Sequence, residues 1–462
     1  MVGIPTEFAW IWPRVLVVVL VGLVGLLFWR DLGFRLRRPF VLLLAGYLAL
    51  VWLSALLAWE EDWNYRILGG VGRLDGPFYQ SGIVLWGVLA YLLFQSCRRV
   101  RRLFLATVAG VSALLAILLL AQRAGHDPVG AYLVGGNYPN PVGTIGSPGM
   151  AAGLLLLGFF AIGSLIPEAD GPKGRRGTWL WLALATLIAA GIGATTNKAA
   201  TYATLTVLTG LLLVLRGREP LRLLATFLVG AFLVTPLVPD RIGFQRSLAD
   251  TRTGQTRLVI WKLALESMGK TPGQPFIGAG PDGFLLTLAR KIPVSELLKE
   301  YRIEYRWPPS AKVTAIRPLY RPDDPVRSRA FMVSLANYPK KGTTKKIIYR
   351  YYLDKAHNLF LDRAVSYGTL AALIWLALFL WPLGRFLKRR RKSLADWFLA
   401  GGLMALFLYY QVWFPVPQVE PLHVAFLALA WVVAEKRAQS SRHDQLAASP
   451  KGTTENPGFG HP

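Results

Sequence analysis

Residues 97–102 read Cys97-Arg98-Arg99-Val100-Arg101-Arg102 and stand between two apolar runs, residues 81–96 and 103–122. A helix rises about 1.5 Å per residue, so roughly 20 apolar residues cross the ~30 Å hydrocarbon layer of a bilayer. Two such runs joined by a short arginine-rich link predict a pair of membrane helices turned back at the cytoplasmic surface, where Lys and Arg concentrate.

The pattern recurs on both sides of this pair. Apolar runs fall near 11–29, 39–58, 81–96, 103–122, 148–166, 178–194, 198–215, 221–238, 357–381, 395–414 and 420–434. The expectation is an all-α polytopic membrane protein with about 11 (10–12) transmembrane helices. Basic links alternate with others: 30–38, 97–102, Lys173-Gly174-Arg175-Arg176, 216–222, Lys388-Arg389-Arg390-Arg391-Lys392 and Lys436-Arg437. Between them lie acidic, Pro/Gly-rich or tiny links: Glu60-Glu61-Asp62, 126–146, 195–198 and 414–421. This alternation places the N-terminus outside and the C-terminus in the cytoplasm. Hydrophobic residues make up 53% and charged residues 17%, which argues against two or three soluble domains.

The net charge of +26 first suggests nucleic acid, but many of the Lys and Arg mark membrane orientation, so no nucleic-acid partner is expected. The single cysteine, Cys97, excludes an internal disulfide and reads as cytoplasmic filler beside Arg98 and Arg99. The first apolar run lacks a basic region before it and a small-residue cleavage site after it, so no cleavable signal peptide is expected.

Four parts follow: helices 1–8 over 1–239, one large extracytoplasmic (periplasmic) loop over 240–356, helices 9–11 over 357–436, and a disordered tail over 437–462. Residues 241–355 hold 22 Lys/Arg against 9 Asp/Glu, an excess that orientation does not explain in so long a loop. Either the loop rests on anionic membrane lipids, or it gathers a phosphorylated substrate. Within it, residues 256–268 have helical spacing with Leu258, Trp261, Leu265 and Met268 on one face. Phe276-Ile277-Gly278-Ala279-Gly280-Pro281 reads as a tight turn and not a nucleotide loop, Gly283–Lys291 as a helix, and Ile303–Arg350 as short strands or irregular loop.

The sequence holds no Cys/His cluster with zinc spacing, no Walker loop and no Gly-X-Ser-X-Gly elbow, so no metal or cofactor is expected and ATP-driven transport and serine hydrolysis recede. What remains are basic residues at outer membrane boundaries. Lys198 opens an apolar helix after Thr195-Thr196-Asn197, where it either snorkels to the interface or meets an anion. Arg257 has the planar fork that suits paired phosphate oxygens, at the opening of its helix, or is an ordinary surface arginine. His357 starts the ninth membrane run beside Asn358, where it either accepts a proton from an attacking hydroxyl or caps the helix. Arg73 is a further phosphate contact or a solvated loop residue.

Gly72-Arg73, Gly143-Thr144-Ile145-Gly146-Ser147-Pro148, Thr196-Asn197-Lys198-Ala199, Arg257 with Trp261, Pro275-Phe276-Ile277-Gly278-Ala279-Gly280 and Ala356-His357-Asn358 occur in one order. In this order, and in the large loop closed by His-Asn, the chain resembles the O-antigen ligase and O-antigen polymerase superfamily over about residues 40–430. The resemblance implies an inverting, metal-independent membrane glycosyltransferase of the GT-C type, needing no cofactor. Its donor would be a glycan on a polyprenyl (undecaprenyl) diphosphate carrier, its acceptor a glycan or lipid-glycan, and its place the outer face of the bacterial inner membrane. Carried over, His357 would be the catalytic base, Arg257, Lys198 and Arg73 would bind the diphosphate, and Asn358 and Asn197 would support them. Two departures stand out. Asn197-Lys198-Ala199 occupies the place of the family's Ser-Arg-Gly type turn, keeping the charge without the fork, and Gly146-Ser147-Pro148-Gly149 that of its Gly-Asn-Pro-Asn turn. A transporter or flippase of lipid-linked glycans, and a scaffold binding an anionic partner, are the alternatives.

Overall fold

A computed structural model describes residues 11–27, 38–58, 63–69, 75–128, 141–145, 147–166, 174–216, 218–234, 252–268, 273–284, 287–288, 298, 312–319, 330–337, 344–350, 355–388 and 393–448. The chain is mostly helical. In order come α1 (Ile11–Leu27), α2 (Pro39–Leu56), α3 (Trp63–Leu68), α4 (Pro77–Ser96), α5 (Arg98–Arg123), α6 (Pro148–Leu165), α7 (Gly174–Thr195), α8 (Lys198–Leu215), α9 (Arg218–Leu233), α10 (Arg252–Met268) and α11 (Gln274–Ile277). Three strands follow, β1 (Lys312–Leu319), β2 (Ala330–Ala336) and β3 (Thr344–Arg350), and then α12 (Leu359–Tyr367), α13 (Thr369–Leu387), α14 (Leu394–Tyr409) and α15 (Glu420–Ala448). Among the described residues seven helices are long and apolar enough to cross a membrane: α2, α4, α5, α6, residues Thr178–Thr195 of α7, α8 and α13.

The expected run over 357–381 is not one helix. Gly368, at φ +90°, ends α12, and a Cβ there would lie 1.9 Å from the Phe276 carbonyl oxygen. Only glycine takes that backbone shape without strain and admits so close a neighbour, and α13 starts afresh at Thr369. The tail departs from expectation too: α15 continues to Ala448, through a stretch rich in the helix formers Ala, Gln, Arg and Lys. Residues 449–462 lie outside the described residues.

The core is organised around α6, buried from Gly149 to Leu165. A helix apolar on all sides belongs in the middle of a bundle. It runs antiparallel to α14, and small residues on α6 receive aromatic rings: Gly149 faces Trp413, Gly153 faces Tyr409 and Gly163 faces Phe398. On another side α7 runs antiparallel to it, with Ile188 beside Gly158 and Leu155 beside Gly191. The C-terminal end of α7 and the start of α8 therefore share one end of the bundle with Gly149.

The loop after α9 packs against that end. The described part of the glycine turn docks on α12: Ala279 N–H donates to the Val365 carbonyl and Gly280 N–H to the Ser366 carbonyl, both at 2.9 Å. Those amides are engaged by protein carbonyls, as a tight turn and not a phosphate loop requires. Of the helix expected over Gly283–Lys291, Gly283, Phe284, Thr287 and Leu288 are described and helical, the last three buried. Over Ile303–Arg350 the described backbone forms an antiparallel meander β1-β2-β3, with Lys312 opposite Ala336 and Ala330 opposite Arg350, so the chain is not helical throughout. In α10 the apolar face of Leu258, Trp261, Leu265 and Met268 is not the most buried one. Ile260, Leu263, Ala264 and Ser267 are buried, whereas Leu258 and Leu265 face out.

A Cβ at position 149 would lie 2.2 Å from the Trp413 ring, whereas one at Gly110, inside α5, would meet nothing within 4 Å. Gly149→Ala is therefore expected to destabilise by about 1–3 kcal/mol through overpacking. Gly110→Ala should leave stability unchanged or raise it by up to about 1 kcal/mol. Thermal unfolding in detergent micelles measures both, and equal melting of the two variants would contradict the packing described.

Candidate functional site

His357 sits in a turn fixed on both sides. Ala356 N–H donates to Asp362 Oδ1 at 3.3 Å, and Leu359 N–H to the Tyr410 carbonyl at 2.9 Å. Asn358 Oδ1 accepts the Phe360 and Leu361 amides at 2.9 and 3.1 Å and so caps α12, while its Nδ2 donates to the Gln411 carbonyl at 2.9 Å. Between these anchors His357 has φ +50°, in the left-handed region that non-glycine residues seldom occupy. Its ring meets Phe414 at 4.8 Å and Trp413 at 5.6 Å, edge-on in both cases.

Arg257 comes to the same indole, with Cζ 5.8 Å from the Trp413 ring centre. The loop helix and the turn before α12 thus converge on one side chain, which stacks on Phe414 with an interplanar angle of 9°. Trp413 also lies against Gly149, whose carbonyl accepts the Tyr409 hydroxyl at 2.7 Å. The start of α6, which follows the Gly143–Pro148 motif, reaches this point as well. Trp413 had no assigned role in the sequence reading. Its signal was a Trp-Phe pair closing an apolar run, the composition of a membrane-interface aromatic belt.

Lys198 is the first residue of α8, at the same end of the bundle, and Asn197 caps that helix by accepting the Ala200 amide at 2.9 Å. Arg73 and Gly72 lie outside the described residues, as does Gly146. One expectation for Arg257 is corrected: α10 begins at Arg252, so Arg257 stands in its second turn, past the unsatisfied amides of the helix start. Any anion there meets the guanidinium and not a helix terminus.

Two buried charge clusters behind the turn were not recognised in the sequence. Lys355 Nζ is ion-paired with Asp75, with Asp282 at 3.2 Å and with Asp362 at 3.7 Å, all of them buried. Burial alone would lower the Lys355 ammonium, but the three carboxylates, Asp362 first, outweigh it and hold its pKa well above the usual lysine range. The carboxylates are thereby gathered around an ammonium, and among the described residues no group of three or more His, Cys, Asp and Glu side chains could hold a metal ion. In the second cluster Arg363 pairs with Glu420 at 2.8 Å, its guanidinium 5.7 Å from the ring centres of Tyr47, Tyr367 and Trp375. The sequence signal was present: Asp75, Asp362, Arg363 and Glu420 lie at the edges of apolar runs, where a charge needs a partner.

No protein-family model, curated protein or solved structure matches this chain.

Lys355→Met would leave three buried carboxylates without their cation and is expected to cost about 3–5 kcal/mol. For the wild type, a raised lysine pKa contributes its stability in full below the unfolded value of about 10.4 and loses it only as pH climbs through the folded value. The variant should behave oppositely, regaining stability as pH falls from about 7 to 5 because protonated carboxylates no longer need the cation. Melting curves of both proteins across that range check this; a variant as stable as wild type at neutral pH would refute it.

Proposed function

We propose that the protein is an integral-membrane glycosyltransferase of the O-antigen ligase or polymerase type, transferring a glycan from a polyprenyl diphosphate carrier to an acceptor hydroxyl. In this reading the apolar helices make up 11 spans of a GT-C-like bundle in the bacterial inner membrane, the N-terminus is outside and the C-terminus cytoplasmic. The observation that carries it is that Arg257 and His357 both reach Trp413, at the end of the bundle where α6 and α8 begin.

Neutral His357 takes the proton of the acceptor hydroxyl as that oxygen attacks the anomeric carbon from the face opposite the diphosphate. The bond from this carbon to the diphosphate oxygen breaks, and the configuration inverts. The leaving diphosphate carries away the bonding pair, and Arg257, beside Trp413, and Lys198 neutralise its charge. The diphosphate is already a good leaving group, so these cations suffice without a metal or nucleotide. Asn358 and Asn197 set the backbone from which His357 and Lys198 project.

A second reading, transport or flipping of a lipid-linked glycan, draws on the buried Lys355 and Arg363 clusters, because charges buried within a membrane bundle often mark translocation paths. Purified protein given a polyprenyl-diphosphate glycan and acceptor in EDTA should release lipid diphosphate if it is a transferase; movement of the donor across proteoliposomes without release would favour the transporter. His357→Ala should then lower turnover by about 10²–10⁴-fold while donor affinity holds. Arg257→Ala should weaken donor binding by roughly 10–100-fold, the worth of a charge-assisted contact. Full turnover in His357→Ala would remove histidine from the role of base.

A further inference from the structure

α10 carries an exposed apolar face at the height of a membrane boundary. Leu258 and Leu265 are 63% and 58% exposed, and Lys262 stands between them with its side chain in solvent, 3.5 Å from Glu266. Spaced i, i+4 and i+7, the three share one side of the helix, opposite the buried Ile260, Leu263 and Ala264. Two leucines turned to water on a loop helix are a cost that a packed protein would normally avoid.

The helix's height follows from contacts already described. Arg257, next to Leu258, lies over Trp413, and Trp413 lies on Gly149, the second residue of a membrane-spanning helix. The Arg257–Leu258 turn of α10 therefore lies level with the end of α6. The neighbouring α11 is held at the same level: Thr369, the first residue of the spanning helix α13, donates its hydroxyl to the Pro275 carbonyl at 2.6 Å. Phe276 there is 76% exposed, on the rim of the surface that Leu370 and Leu373 of α13 also expose. The outward apolar surface thus continues from a membrane span onto the loop.

We propose that α10 and α11 form an interfacial shelf in the loop-side leaflet. Leu258, Leu265 and Phe276 enter the boundary between phospholipid headgroups and acyl chains, and Lys262 extends its stem along them to a lipid phosphate. An amphipathic helix with leucines on one face and a lysine able to reach up from it is suited to that layer. The shelf holds Arg257 at the depth of lipid phosphates, so a phosphate borne by a membrane lipid meets it without leaving the leaflet. Only this last consequence touches the transferase reading; the shelf itself rests on contacts and exposure.

The test uses the whole chain with Cys97→Ser and single cysteines at positions 258, 265, 276 and, as the aqueous control, the exposed 312. Each is labelled with a fluorophore and reconstituted in phosphatidylcholine–phosphatidylglycerol vesicles. Brominated lipids should quench the labels at 258, 265 and 276 at least about twofold more than that at 312, and iodide in the buffer should show the reverse order. Iodide quenching at 258 and 265 equal to that at 312 would overturn the proposal, as would protection from both quenchers, which signals a protein partner over this face. Turnover is not part of the readout, so a chain without transferase activity tests the shelf equally well.

Discussion

A buried ammonium cannot be left alone, and Lys355 meets that constraint by drawing three distant segments together. Asp75 precedes α4, Asp282 follows the glycine turn of the loop, and Asp362 belongs to α12. Each carboxylate repays part of the cost of dehydrating the cation, and each in turn needs the cation to remain buried. Asp75 stands 280 positions from Lys355 in sequence, so the pair ties the beginning of the membrane bundle to the end of the loop. Because His357 follows two residues later, the turn bearing the imidazole starts from a fixed point.

The same economy governs the walls of the site. Small residues along α6 let the rings of α14 and of the turn after it approach the backbone, so Trp413 is set by packing against Gly149. Arg257 and His357 then share a rigid apolar surface. A planar guanidinium lies over an indole with the ring face supporting the cation, an arrangement lysine would not reproduce.

Much of this was legible beforehand and some was not, for identifiable reasons. Apolar periodicity located α2, α4, α5, α6, α7 and α8 within a few residues, because a bilayer demands length and composition that any sequence displays. The glycine turn was also legible in its local motif. Trp413 escaped because its importance lies in contacts with Gly149, Arg257 and His357, all remote in sequence. Lys355 escaped for the same reason: its role exists only once Asp75 and Asp282 arrive. In α10 periodicity finds an apolar stripe without saying how deeply it is buried, and here Leu258 and Leu265 turn outward while Ile260, Leu263 and Ala264 face in.

The backbone at His357 bears on what that position serves. A residue at φ +50° is relaxed as glycine, and histidine, like asparagine, enters that region more readily than most side chains. Whatever the turn alone accomplishes, a smaller residue would accomplish at lower conformational cost. The turn thus carries an imidazole at a backbone position that most larger side chains would strain.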